Sequence, residues 1–171
     1  MSIAVHYSRD SFDRFGDDLT ELILTYLSLD DKLRLECVSK QFRRLVFNKQ
    51  YVLIFDDVIT NPLNTLKKLS IDEEVSKKFL KSLLKKFPNI TSVDFTSVVL
   101  NDSILDSITD CCPRLNSIAF NGFRLSREAI TRFGQRLGHR IRHLSMDIIS
   151  RDSKINLFVT LCQNIQSFKC K

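Results

Sequence analysis

Two histidines, His139 and His143, stand four residues apart, the spacing at which a helix would turn both toward one metal ion. Gly138 before them and the phrase Ile141-x-x-Leu144 around them argue instead for a corner that runs into a strand. That places His139 in the corner and His143 on a strand face. Five cysteines, Cys37, Cys111, Cys112, Cys162 and Cys170, are odd in number and form no CxxC pair. Cys112 and Cys162 occupy a column shared with Phe87 and Leu137, so they are expected as small buried hydrophobes of a reduced protein of the cytosol or nucleus. Four of the five read as core or near-core, Cys37 through its neighbour Val38 and Cys170 through its strand phrase. A Cys-His nucleophile would need an electropositive pocket instead. The chain holds no HExxH, P-loop, GxSxG or dinucleotide glycine pattern. The expectation is a non-catalytic chain with no metal and no cofactor.

The remaining charged residues with chemical potential are lysines, Lys67, Lys68, Lys77, Lys78, Lys81, Lys85 and Lys86, which supply much of a net charge of +6. Lys77, Lys81 and Lys85 fall on a helical face opposite Leu80, Leu83 and Phe87. A solvated face explains them, and a nucleic-acid or acidic-partner patch is the sharper alternative. No aromatic residues interleave to stack bases, and Asp72, Glu73 and Glu74 dilute the charge, so nucleic acid is disfavoured.

Elements that could position such residues follow from a periodicity. The apolar phrase Ile90, Val93, Phe95 returns as Leu115–Ile118–Phe120, Ile141–Leu144–Met146 and Ile165–Phe168–Cys170, and precedes itself as Leu66–Leu69–Ile71, in steps of 24, 25, 26 and 24 residues. Three further columns keep a 25-residue beat: Leu80, Leu105, Ile130, Ile155; Leu83, Ile108, Phe133, Phe158; and Phe87, Cys112, Leu137, Cys162. A period in the twenties with an LxxLxL phrase predicts an α/β chain, a short leucine-rich-repeat solenoid of about five strand–helix repeats. Solenoids bind macromolecules far more often than they catalyse. The residues between the inward positions form the concave face: Ser92 and Asp94, Ser117 and Asn121, His143 and Ser145, then Lys169. These are weak candidates for substrate binding, because the surface is small, polar and poor in aromatic anchors.

Before the repeats the pattern is different. Residues 1–14 show no periodicity, and lack the basic start and apolar core of a secretion signal. From Asp17, the residues Leu19, Leu22, Ile23, Tyr26 and Leu27 make one apolar stripe on a helix, with Asp17 and Asp18 at its start. Asp30 is expected to cap a second helical stretch, in which Leu35, Val38, Phe42 and Leu45 keep helical spacing. The predicted organisation is 1–14 flexible, 15–47 a small all-α module, 48–63 a connecting or capping segment with a short strand at Tyr51–Phe55, and 64–171 the repeats. Fewer than about 40 residues bury too little to be stable alone, so the helical module should dock on the repeats, on a partner, or on both. The chain stops one residue past the last strand phrase, which suggests either a fragment or an end covered in some other way. No apolar run approaches the ~18–20 residues of a membrane span.

The segment FGDDLTELILTYLSLDDKLRLECVSKQFRRL resembles an F-box, with Ile23, Leu27, Leu29, Asp31, Leu33, Leu35, Val38, Lys40, Arg43 and Leu45 where that pattern expects them. Phe15-Gly16 stands in place of Leu-Pro, Asp18 of Glu, Ser39 of Cys and Phe42 of Trp. FTSVVLNDSILDSITDCCPRLNSIAF resembles the cysteine-containing type of leucine-rich repeat, with Leu100-Asn101-Asp102 at its I-T-D and Cys112-Pro113 at its C-P. Both in this order resemble the F-box/leucine-rich-repeat proteins. The resemblance implies the substrate-recognition subunit of an SCF-type, cullin-based ubiquitin ligase. Its module would bind a Skp-family adaptor through Phe15, Leu19, Ile23, Leu27 and Leu29, with Val38 and Phe42 shared with the module's own core. An unknown protein substrate would then bind the repeats. The alternative is a leucine-rich-repeat interaction scaffold whose divergent F-box engages no adaptor.

Overall fold

The computed structural model describes residues 15–55, 73–97, 99–120, 123–146 and 153–170. It divides into two compact units, Met1–Lys49 and Gln50–Lys171.

In the first unit, α1 (Asp17–Thr25) and α2 (Leu29–Arg34) are followed by a single 3-10 turn over Leu35–Cys37 and then α3 (Lys40–Asn48). Each start has a local cause. Gly16 precedes α1 without a side-chain cap, and Asp17 and Asp18 sit in its first turn, where carboxylates favour the exposed N–H groups. Ser28, not Asp30, caps α2: its hydroxyl accepts from the Asp31 amide at 3.1 Å and donates to the Asp31 carboxylate at 2.7 Å. Ser39, which stands where the F-box pattern has Cys, caps α3 by accepting from the Phe42 amide at 2.9 Å. The core is Leu24, Phe42, Leu45 and Val46, with Leu27 and Phe47 packed on it. Polar ties close α1 onto α3. The Asp17 carboxylate accepts from Arg44 at 2.7 and 2.9 Å and from Gln41 at 2.8 Å, and Lys49 pairs with Glu21 at 2.9 Å.

The second unit is a parallel five-stranded sheet. Its strands β1 (Val52–Ile54), β2 (Ser92–Phe95), β4 (Ser117–Phe120), β6 (His143–Met146) and β7 (Ser167–Cys170) lie side by side in that order. Parallel neighbours need a crossover, supplied here by α4 (Glu73–Lys85), α5 (Asp102–Cys111), α6 (Arg127–Leu137) and α7 (Ser153–Leu161). Register is constant: Ser92, Ser117, His143 and Ser167 form one row, and Asp94, Ala119, Ser145 and Lys169 the next. Two residues of each phrase that ends in β2, β4 or β6 lie within the strand and point into the core: Val93 and Phe95, Ile118 and Phe120, Leu144 and Met146 are all at most 2% exposed. A second, two-stranded sheet pairs β3 (Leu100–Asn101) with β5 (Phe123–Arg124) just ahead of α5 and α6. There the Asn101 side chain caps α5, Ser126 caps α6, and Asp102 accepts from the Ser126 amide at 2.7 Å.

The sequence columns match this core with three departures. In α4 the buried position is Leu84, at 0% exposure, whereas Leu83 is half-buried. The last phrase is open, with Ile165 half-buried and Phe168 45% exposed. Both flanks of β2 are taken by β1 and β4, so the strand beside β2 comes from Val52–Ile54, whereas the phrase Leu66–Leu69–Ile71 lies outside the described residues. Gly134 and Gly138 let α6 and α7 approach. A Cβ on Gly134 would stand 2.5 Å from the Leu161 Cβ, and one on Gly138 would run into the Leu161 carbonyl oxygen.

Candidate functional site

Helix α1 buries one face and leaves a second apolar face uncovered. Thr20, Leu24 and Leu27, at i, i+4 and i+7, turn inward: Thr20 and Leu24 are buried and Leu27 packs on the core. Four of the five residues of the expected apolar stripe point away from this interior. Leu19 is 43% exposed, Leu22 52% and Tyr26 82%, and Ile23 is half-buried. These four recur at i, i+3, i+4 and i+7, so they share one face of the helix. Leu35 and Val38, around the 3-10 turn, are 38% and 48% exposed. Leaving large side chains of this kind in water forgoes about 1.5–3 kcal/mol each relative to full burial. Contiguous apolar surface of this sort marks a protein contact.

Of the residues expected at an adaptor contact, Leu19 and Val38 are open, and Phe15, Ile23 and Leu29 are half-buried. Leu27 is likewise half-buried and packs on the core, and Phe42, expected to be shared with that core, lies in it. Phe42 is 2% exposed and belongs, with Leu27, to the interior that shapes the surface. Leu22 and Tyr26, absent from the expected contact set, are the most exposed apolar groups of α1. Their place in the heptad-like spacing was visible in the sequence. What could not be seen was that Leu24 and Thr20, lying between them, are the pair that faces α3.

The outward rows of the five-stranded sheet carry the other expected residues. Ser92, Asp94, Ser117 and Ser145 are half-buried, and His143 and Lys169 are exposed; Asn121 lies outside the described residues. Asp94 is committed locally, since its carboxylate accepts from the Thr96 amide at 2.8 Å. The same rows begin with Val52 and Ile54 of β1, 45% and 53% exposed, while Leu53 and Phe55 between and after them are buried. The sheet face therefore runs from apolar at β1 to polar and basic at β6 and β7.

The lysine-bearing helix face is an ion-pair surface. An open groove of about 310 Å³ runs across α4, α5 and α6, and Lys81, Asp106, Asp110, Arg132 and Arg136 are among the residues that line it. Asp110 accepts from Lys81 at 2.7 Å and from Arg136 at 2.6 Å, and Asp106 pairs with Arg132 at 2.8 Å. Hydrogen bonding to Lys81, then to Arg136, holds the Asp110 carboxyl below its ordinary range, and the Asp110 contact raises the Lys81 ammonium above its own. Lys81 is therefore spoken for within the chain.

Burial pushes the thiols of Cys112 and Cys162 up to about 12, which makes them inert hydrophobes at neutral pH. Cys111 is half-buried and also raised by desolvation. Cys37, expected near the core, is exposed, because it ends the 3-10 turn with its side chain outward. His139 lies in a 3-10 turn, Gly138–Arg140, and His143 begins β6, so the two do not share a helical face. Among the described residues, no group of three or more His, Cys, Asp or Glu is placed to hold a metal. No helix among them is long and apolar enough to cross a membrane.

A family comparison bears on the first unit. Residues 12–51 match the family model of the F-box domain. No curated protein matches the chain. The match takes in α1, α2, the 3-10 turn and α3, and ends where β1 begins. F-box domains generally bind the Skp adaptor within SCF ubiquitin-ligase complexes. The uncovered face of α1 thus lies inside the segment that matches a protein-binding domain.

Proposed function

We propose that the chain is the substrate-recognition subunit of an SCF-type, cullin-based ubiquitin ligase, non-catalytic in itself and acting in the cytosol or nucleus. The observation that carries this is the apolar face of α1, with Leu22 and Tyr26 in water, within the F-box match at residues 12–51. A core of four fully buried apolar side chains is slight for a module of this size, so a partner on that face would complete its burial. The second unit is read as a short leucine-rich-repeat solenoid. In support stand a parallel in-register sheet, one helix per step, and phrases spaced 25, 26 and 24 residues apart between β2 and β7. Its polar sheet face, with Ser92, Asp94, Ser117, His143, Ser145 and Lys169, is the surface we assign to substrate.

The mechanism is positioning. One end is held by the adaptor and a substrate by the other, and a separate enzyme transfers ubiquitin at raised effective concentration. Co-expression with a Skp-family adaptor, followed by size-exclusion chromatography, tests the assignment. A stoichiometric complex is expected. A chain that elutes alone and well folded beside free adaptor would overturn it and favour an interaction scaffold.

A further inference from the structure

The rim of the sheet where the strands begin carries a basic cluster with no paired carboxylate among the described residues. Each helix passes into the next strand through the same corner. The amides of Ile90, Leu115 and Ile141 donate to the carbonyls of Phe87, Cys112 and Gly138, three residues back in each case. Because the corners repeat and the strands stay in register, Asn89, Arg114, Arg140 and Asn164 fall in one column at the strand spacing of about 4.8 Å. Arg142 follows in the adjoining row beside Asn116, whose carbonyl accepts its amide at 2.8 Å. His139 lies in the same corner as Arg140, and His143 opens the sheet face above them.

All five cationic or titratable side chains are exposed: Arg114, His139, Arg140, Arg142 and His143. Arg114 donates to Asn89 at 2.7 Å, and Arg140 lies 3.3 Å from the His139 ring. None of the five pairs with a carboxylate among the described residues. The contrast with the helix face is sharp, since Lys81, Arg132 and Arg136 there are each within 2.8 Å of Asp106 or Asp110. Arg114 and Arg140, one strand apart in this column, repel one another without an anion between them.

We propose that this rim docks an acidic segment of a protein partner, carboxylate- or phosphate-bearing, whose chain continues onto the sheet face at His143. Arginine forks match both groups in a two-point contact. A protein segment fits better than nucleic acid. The cluster spans two adjacent corners, about 5 Å by the strand spacing, against the longer charged groove with stacking rings that single strands require. Tyr51 is the exposed aromatic on this rim, three strands away from Arg142. The segment's role as part of a ligase substrate rests on the proposed function; the docking chemistry does not.

The test is fluorescence anisotropy on the full chain, purified with the adaptor if they associate. The probes are a labelled peptide of alternating Glu and Gly, a version with phosphoserine in place of Glu, a version with Gln, and single-stranded DNA. The two acidic peptides should bind and the Gln peptide should not. Arg114→Gln/Arg140→Gln/Arg142→Gln should weaken acidic binding about tenfold or more. Lys77→Gln/Arg124→Gln/Arg127→Gln, which removes the same charge elsewhere, should leave it unchanged, and circular dichroism should show both variants folded. Tighter phosphopeptide binding would name phosphate as the source, and equal binding would name carboxylate. Absent peptide binding, equal loss in both variants, or tighter DNA binding lost in the rim variant would overturn the proposal. Adaptor association of the rim variant, read separately, should be intact, so failure here and failure of the ligase assignment are told apart.

Discussion

Helix α4 offers a sharp test of how the core is built, because adjacent leucines there should behave differently. A strict 25-residue column aligns Leu83 with Ile108, Phe133 and Phe158, yet Leu84 is fully buried and Leu83 only half-buried. Leu80, Leu84 and Phe87 follow at i, i+4 and i+7, whereas α5 buries Leu105, Ile108 and Cys112 at i, i+3 and i+7. Truncating Leu84 to Ala removes about three buried carbon groups at ~0.8 kcal/mol each and leaves a cavity, for a total of about 3–4 kcal/mol. Leu83→Ala sheds surface that is partly hydrated already and should cost about 1 kcal/mol. In a unit of this size the first change lowers the melting temperature by roughly 10 °C and the second by a few degrees. Thermal melts of the full chain followed by circular dichroism read both. Equal losses, or a larger one for Leu83→Ala, would refute the orientation of α4 and restore the strict column.

Gly138→Ala drives a Cβ into the Leu161 carbonyl oxygen, a backbone atom that cannot step aside, and should destabilise by about 1–3 kcal/mol in a urea titration. Asp110→Asn should flatten the pH dependence of stability. The Asp110 carboxyl is lowered in the folded chain, so its contribution is complete above the ordinary carboxylate value and fades as pH falls through the lower folded one. The raised Lys81 ammonium contributes below the ordinary lysine value and loses its share as pH rises through the folded one. Melting temperatures of wild type and Asp110→Asn should therefore differ most near neutrality, converge at low pH, and draw together only in part at high pH, where Arg136 stays charged and keeps its bond to Asp110.

Much of the second unit was legible because strand and helix residues repeat on a fixed beat. The inward positions of β2, β4 and β6 and the columns through Leu105, Ile108 and Cys112 follow directly from that period. Its departures lie in the first and last of the described helix–strand steps. There α4 rotates its buried face by one residue and Phe168 is left open. The short strand expected at Tyr51–Phe55 is present as β1, but local spacing does not show that its partner β2 lies some forty residues away. In the helical module, periodicity gave the elements and the apolar stripe but not the inward face of α1. Two apolar sets, one through Leu19 and Tyr26 and one through Leu24 and Leu27, share α1, and period alone does not say which faces inward. The ties of Asp17 to Arg44 and Gln41 decide it, and they are long-range contacts invisible in local spacing.

The claim that the outward face of α1 is an adaptor surface is tested most directly by titration calorimetry of a Skp-family adaptor against the purified chain. Wild type should bind with one-to-one stoichiometry. Leu22→Asp and Tyr26→Asp, which alter exposed side chains and leave the Leu24–Phe42–Leu45 core alone, should each abolish the heat while melting like wild type. Undiminished binding by both variants would contradict the account.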